Sequence, residues 1–383
     1  MATRITRQRW GNRLGSSVKG VVFGLVCFLA SFLLLWWNEG NAVRQYERLH
    51  EVALAAVEIQ ATDAPAASDG QLVHVSGTAR TEDTLEDPDF GVWVEDSIHL
   101  QRQVEMYQWQ ETAHSDTRTK LGGDRETVTT FSYSTTWSDR VIDSSSFYEQ
   151  DPVRRNPGSM PYRHRTVSAS NVELGNFVLG PELIGAIGGY QTLSLSADGV
   201  TLPPDGQLHQ GYVYIGADPA VPEVGDVRVR FGVVPAGPVS IIAGQQGYQL
   251  GRSWTDSTGK PYFRVQTGTH GKAAMIAQAE QEVQMVTWLL RFVGWLVMSI
   301  GLGMVLQPLR VLADVLPILG RIVGSGLGLI SALTAAILSL ITIAIAWLTV
   351  RPLIGIPLLV LAVILLVVML TRAKRNRAVA APL

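Results

Sequence analysis

Seven histidines, one cysteine and several acidic clusters are the groups with which this 383-residue chain could do chemistry. None is spaced for it. His50, His74, His99, His114, His164, His209 and His270 are scattered, and no His-Glu-x-x-His pair sets two imidazoles on one helical face. No glycine-rich loop ends in Lys-Ser/Thr to cradle a phosphate, and no Gly-x-Ser-x-Gly turn presents a nucleophile. Cys27 stands alone, which excludes a disulfide framework and any multi-thiolate metal site. Glu86-Asp87-Pro88-Asp89 offers the oxygen ligands a divalent cation takes, but a solvated acidic turn is the better reading. His164, between Arg163 and Arg165, reads as a solvated loop residue. Asp139-Arg140 and Asp143-Ser144-Ser145-Ser146 read as turn chemistry. The sequence therefore assigns no catalytic, cofactor-binding or metal-binding residue, and neither an enzymatic activity nor a cofactor is expected.

The elements that would position any site are of two kinds. Apolar residues make up 47% of the chain and charged residues only 17%, against about 25% charge in soluble domains. Residues 38–287 carry 18 Lys and Arg against 32 Asp and Glu, a net −14; the rest carries 13 basic residues and one acid, Asp314, a net +12. A bilayer span needs about 20 apolar residues. Four stretches qualify, at 21–37, 288–306, 327–349 and 353–370. Inside them only Arg291 is ionisable, one turn from an end, where its stem can snorkel. Orientation follows the Lys and Arg beside the spans. Arg4, Arg7, Arg9, Arg13 and Lys19 precede the first span, Arg310 and Arg321 lie between the second and third, and Arg372, Lys374, Arg375 and Arg377 follow the last. This places residues 1–20, the 307–326 loop and the 371–383 tail in the cytoplasm, and the acidic 38–287 domain on the other side. Small residues at Gly40-Asn41-Ala42 resemble a signal-peptide cleavage site, but a bulky apolar run ending in Trp36-Trp37-Asn38-Glu39 favours an uncleaved anchor.

Within 38–287 the pattern is β. Leu72–Val75 is a short strand. Residues 98–110 alternate, with Leu100, Val104 and Met106 on one parity and Tyr107 and Trp109 on the other; residues 127–137 are rich in Thr and aromatics. Asp124-Arg125, preceded by Gly122-Gly123, supplies the turn of a long hairpin. Further strands are expected at 211–215, 226–233, 239–243 and 262–266, and a short helix at 181–187 behind Pro181. Tyr107 and Trp109 fit a strand face in the core or an aromatic binding surface. Asp69-Gly70-Gln71-Leu72 and Asp205-Gly206-Gln207-Leu208 hint at an internal repeat. Residues 273–287 lack Gly and Pro, are rich in helix formers and run into the second span, so one continuous helix is expected there.

Two features bear on packing. Gly320, Gly324, Gly328, Ala332 and Ala336 recur every four residues, a ridge that lets helices approach closely, against Gly294, Gly301 and Gly303 of the second span or in self-association. Glu39, beside Trp37, is either a structural acid meeting Arg44 or the domain, or a carboxylate at a pore mouth.

Several motifs resemble one family. Trp37-Asn38-Glu39-Gly40, Val104-Glu105-Met106-Tyr107-Gln108-Trp109, Tyr133-Ser134-Thr135-Thr136-Trp137, Ile142-Asp143-Ser144, Asn156-Pro157-Gly158-Ser159-Met160, Pro222 to Val229 (with Gly225 and Asp226) and Arg351-Pro352-Leu353 are similar, in order and across nearly the whole chain, to the LUMA (transmembrane protein 43) family. The resemblance implies a multi-pass membrane protein of one plus three spans. In animals it implies the endoplasmic reticulum and inner nuclear membrane, envelope-organising partners and self-association, and ion-channel roles have been proposed there. Short loops and the absence of any Asn-x-Ser/Thr sequon make this chain more like a bacterial member, to which nuclear-envelope partners do not carry over.

The expectation is thus a polytopic α-helical membrane protein with a large β-rich α+β extracytoplasmic domain, in a bacterial inner membrane with that domain periplasmic. Its function would be that of a non-enzymatic scaffold. Its partners would be the bilayer, anionic lipids drawn to the basic flanks, and further copies of itself, with no nucleic acid. An oligomeric channel, with Ser331, Thr334 and Ser339 as its polar face, is the alternative; an extracytoplasmic enzyme is the weaker one.

Overall fold

The computed structural model of the chain describes residues 2–350 together with Val360, Ile364 and Val367. The fourth span read at 353–370 therefore lies almost wholly outside the described residues, and the 371–383 tail entirely so. The elements are β1 (Ala2–Gln8), α1 (Trp10–Ala55), β2 (Val57–Gln60), β3 (Leu72–Arg80), β4 (Leu85–Asp87), β5 (Val92–Val94), β6 (Ser97–Thr119), β7 (Arg125–Ser138), β8 (Arg165–Ser168), β9 (Glu173–Leu174) and β10 (Phe177–Leu179). There follow α2 (Pro181–Ala186), β11 (Gln191–Leu193), β12 (Gly206–His209), β13 (Tyr212–Ile215), β14 (Val227–Pro235), β15 (Gly237–Gln246), β16 (Gln249–Gly251), β17 (Phe263–Thr267), α3 (Lys272–Val305), α4 (Gln307–Ala313) and α5 (Pro317–Val350). The chain divides into two units. One holds Met1–Ala2, His50–His114 and Thr130–Gln278; the other holds Thr3–Leu49, Ser115–Thr129 and Ala279–Leu383.

The first unit is β-rich. An eight-stranded sheet runs β1-β7-β6-β14-β13-β12, with β11 on β14 and β8 on β6; a seven-stranded sheet runs β17-β15-β16-β10-β9-β3-β2, with β15 also on β3. The antiparallel register pairs Val104 with Val229 and Met106 with Val227, and Val75 with Ile241. Side chains of both sheets, including Val73, Leu100, Met106, Phe177, Phe231 and Ile241, form one buried cluster. The parity expected for 98–110 holds: Leu100, Val104 and Met106 are buried. The far face of β3 and β15 is covered by helix ends, where Val52 of α1, Ala56 just beyond it, and Met275 and Ile276 of α3 pack on Leu72 and Ile242. Of the two segments with the Asp-Gly-Gln-Leu match, one opens β3 in the seven-stranded sheet and the other opens β12 in the eight-stranded sheet.

The second unit is helical. Among the described residues three helices are long and apolar enough to cross a membrane, at Trp10–Ala55, Lys272–Val305 and Ile322–Leu348. α1 runs unbroken from the first apolar stretch through residues 38–55. The helix expected over 273–287 is the start of α3, and α5 begins at Pro317 with its membrane-crossing part at Ile322–Leu348, five residues before the expected 327. Apolar side chains stay largely outward: Phe23 is 61% exposed and Leu33 74%. Such faces suit lipid as their solvent. The small buried nucleus is Leu35, Met298 and Ala335. Residues 2–8, read only as a basic tail, form β1 on β7. Its partner strand lies more than a hundred residues away, so nothing local signals it.

Candidate functional site

The most enclosed carboxylate described in the helical unit, that of Glu39, sits where two helices leave the apolar zone. Asn38 and Glu39 fall at the end of the first apolar stretch, on the buried side of α1; both are 1% exposed. Arg291 lies early in the apolar part of α3. Its Nε donates to Glu39 Oε1 and its Nη2 to Oε2, each at 2.7 Å, a bidentate fork. Trp347 of α5 donates its indole N–H to the same carboxylate, and Asn38 donates to the Thr287 carbonyl at 3.2 Å. The guanidinium also lies 4.7 Å from the Trp288 ring centroid, a cation–π contact. One cluster thus ties α1, α3 and α5 together. Beside it opens a cavity of about 300 Å³ lined by Tyr46, Gln284, Trp288 and Trp347 among others. Glu39 meets Arg291, not Arg44. The sequence held the signal: the one base inside a span requires a partner, and the acid ending the preceding antiparallel span stands level with it.

The other motif residues converge in the β unit. Asn156 Oδ1 accepts from the Trp109 amide at 2.7 Å, while its Nδ2 donates to the carbonyls of Trp109 (2.9 Å) and Ile142 (3.0 Å). Its side chain so completes the free edge of β6. Gly225 donates its N–H to Tyr107 O, and Tyr107 donates to Asp226 O. Gly225 has φ +105°, which favours glycine, and a side chain there would face Pro157. Asp226 accepts from the Tyr214 hydroxyl. Burial and that carboxylate push the Tyr214 phenol well above its ordinary range. Glu105 accepts from Arg228 at 2.6 Å and Arg230 at 3.2 Å. Tyr107 bonds Thr135 and packs on Trp137. These residues brace loops onto β6 and β14, and their geometry is structural. Arg351 and Pro352 lie outside the described residues.

The acidic turn is already occupied. Arg102, 4% exposed, donates to Asp87 at 2.7 Å and to Asp89 at 2.6 Å. No group of three or more His, Cys, Asp or Glu among the described residues is placed to hold a metal. His99 is buried between Ser168 Oγ (2.8 Å) and Ile184 O (3.0 Å), and burial lowers its pKa.

The small-residue ridge of α5 is split in its surroundings. A Cβ on Gly324 would lie 2.6 Å from Arg310 Nε, and one on Gly320 would collide with Asp314; at Gly328 nothing lies within 4 Å. Ala332 accepts the Trp295 indole N–H at 3.1 Å, and Ala336 is partly buried. A backbone-to-backbone approach lies elsewhere: a Cβ on Gly301 of α3 would sit 2.7 Å from Gly24 O of α1. Of the basic residues before the first span, Arg4, Arg7, Arg9 and Lys19 are exposed. Arg13 is 4% exposed and paired with Asp314.

Long apolar helices and a large two-sheet domain, braced by these clusters, define a membrane protein with a folded β-rich domain. The sequence profile of the family described as Transmembrane protein 43 matches residues 106–352. Transmembrane protein 43 of Rattus norvegicus is 33% identical over 377 residues, covering 95% of this chain and 93% of that protein. The Homo sapiens protein of the same name is 33% identical over the same shares, and the Drosophila melanogaster homolog 29% identical over 342 residues, 87% of this chain and 89% of its own. No solved structure matches. The chain belongs to the Transmembrane protein 43 family.

Proposed function

We propose that this protein is a non-enzymatic membrane scaffold, which holds an acidic β-rich domain on the extracytoplasmic side of a bacterial inner membrane and offers it to partners or to further copies of itself. The observation that carries the reading is the way the membrane helices enter the domain. α1 and α3 run unbroken from apolar spans into segments whose last and first turns, at Val52, Ala56, Met275 and Ile276, are part of the domain's packing. Long helices without intervening loops suit presentation of a surface. The titratable groups most enclosed in the domain are spent on internal bonds, as Arg102 and Asp87 are. The basic residues left exposed before the first span suit anionic headgroups, each worth about 1 kcal/mol near the surface.

Cross-linking with mass spectrometry in native membranes tests this. The expected outcome is reproducible links from exposed lysines of the 38–287 domain, such as Lys260, to another copy or to a defined partner. A domain that links only within its own chain would sink the scaffold reading.

A further inference from the structure

The tip of the β6–β7 hairpin is bonded to the far end of the helix that leads into its own domain. Gly122 and Gly123, at φ +90° and +83°, make a turn that favours glycine. Asp124 Oδ1 accepts the backbone N–H of Trp10 at 2.8 Å, capping the start of α1. Arg13 donates to Gly123 O and to Asp314. Asp314, the single acid outside residues 38–287, is 5% exposed. The Gly122 amide donates to Val315 O at 3.1 Å, and the Trp10 indole to Val311 O at 2.8 Å.

Connectivity makes this contact consequential. α1 joins the domain at its C-terminal end, beyond the 21–37 apolar stretch, whereas the tip meets residues 10 and 13, before that stretch. From Arg13 to Glu39 an α-helix rises about 39 Å, more than the roughly 30 Å of hydrocarbon. A chain that belongs to the domain and touches Trp10 must pass the level of the hydrocarbon. The strands suffice: Tyr107 to Lys120 spans about 43 Å in β geometry. The ribbon's two faces differ. One carries hydroxyl pairs, Ser115–Thr129 at 2.9 Å and Thr117–Thr127 at 3.0 Å. The other carries exposed His114, Asp116 and Arg118, with Glu126 bound to Lys120 and Arg7. Lipid accepts neither such charges nor an open strand edge, so a backbone of this kind at membrane depth must line water or protein.

We propose that the β6–β7 hairpin crosses the bilayer level beside the spanning helices as a polar ribbon, its charged face turned to water and its tip latched at Trp10, Arg13 and Asp314. The inference rests on the reading that α1 spans the membrane, and its test separates the two. In a Cys27→Ser background, single cysteines replace Leu121 at the tip (82% exposed), Val153 on the domain (79% exposed) and Asn12 at the start of α1. Each full-length variant is labelled in sealed vesicles with a membrane-impermeant maleimide added from one side and then the other. The expected result is that Leu121→Cys and Asn12→Cys react from one side and Val153→Cys from the other. Labelling of Leu121→Cys from the side of Val153→Cys, with Asn12→Cys opposite, overturns the ribbon and leaves the span intact. Labelling of all three from one side overturns both. Asp116→Cys, on the charged face, is expected to react within about tenfold of the tip cysteine, as an aqueous thiol does; no reaction from either side would refute the water-lined face.

Discussion

The β unit and the helical unit solve the same problem in different solvents. In the β unit, Phe90, Leu100, Phe177, Phe231 and Ile241 are at most 2% exposed, and expulsion of water from apolar surface drives the packing. In the helical unit Phe23, Leu29, Leu33 and Ile318 are more than half exposed. A hydrocarbon solvent gives no gain for hiding them, so cohesion falls to close backbone approach at Gly24 and Gly301 and to paired charges at Glu39–Arg291 and Arg13–Asp314. Both units bury a bidentate or doubly used arginine, but in the β unit Arg102 supplements a large core, while in the helical unit Arg291 is central to the cohesion. The comparison teaches that equal side chains carry unequal weight in the two units.

The sharpest way to break it is to remove the same apolar bulk from each unit. Phe177→Ala is expected to destabilise the β unit by about 3–5 kcal/mol through loss of transfer energy and a residual cavity. Leu33→Ala, on the outward face of α1, is expected to change stability by under about 0.5 kcal/mol, as substitutions away from packed features do. Chemical denaturation of the detergent-purified chain, followed by near-ultraviolet circular dichroism, reads both. Comparable losses at the two positions would erase the distinction. Next comes the charge. Glu39→Ala leaves Arg291 enclosed without its carboxylate and is expected to cost about 3 kcal/mol, while the double variant Glu39→Ala, Arg291→Met should recover most of it. Resistance to limited proteolysis, compared across the cycle, would show no recovery if the pair served only as bulk.

Much of this was legible in the residues. The alternation of 98–110 places Leu100, Val104 and Met106 inside, because a sheet with one buried face imposes a period of two. Helix formers without Gly or Pro over 273–287 announce the entry into α3. What was not legible depends on partners far away in the chain. β1 is a strand because β7 pairs with it. Glu39 finds Arg291 across 252 positions. Asn156, Gly225 and Tyr107 are separate marks in sequence and one brace in space. The glycine ridge of α5 is periodic, but spacing alone does not say which glycine faces a neighbour: Gly324 does and Gly328 does not.

That last point yields a paired test within the helical unit. A side chain on Gly301 meets the Gly24 carbonyl and the Phe28 amide, at 2.7 and 2.8 Å from its Cβ. Both are backbone atoms that cannot swing aside, so Gly301→Leu is expected to cost about 1–3 kcal/mol by overpacking. Gly328→Leu has open space around it and is expected to leave the thermal midpoint in detergent unchanged. A midpoint lowered equally by both would mean that the ridge, and not the α1–α3 crossing, carries the packing.

The smallest effect divides the units by pH. All seven histidines lie between residues 50 and 270, within the β unit, and histidine is the side chain whose ordinary pKa falls in the range between pH 5 and 8. His99 is held below its ordinary value of 6.5 chiefly by burial, against the raising influence of the Ile184 and Ile187 carbonyls. Its neutral ring bridges Ser168 and Ile184 and stacks on Tyr190. The unfolded chain takes up the proton first as pH falls, so the stability this group contributes is complete above pH 6.5 and is lost as pH drops through the window between 6.5 and the lower folded value. The stability of the β unit against unfolding should therefore fall on moving from pH 7.5 to 5.5, and His99→Gln should flatten that slope while lowering stability at pH 7.5. Unfolding of the helical unit, followed by far-ultraviolet circular dichroism at 222 nm after the β transition, should not move over the same interval, since it holds no imidazole. An equal pH slope in the two transitions, or a His99→Gln variant that keeps the full slope, would assign the titration to other groups.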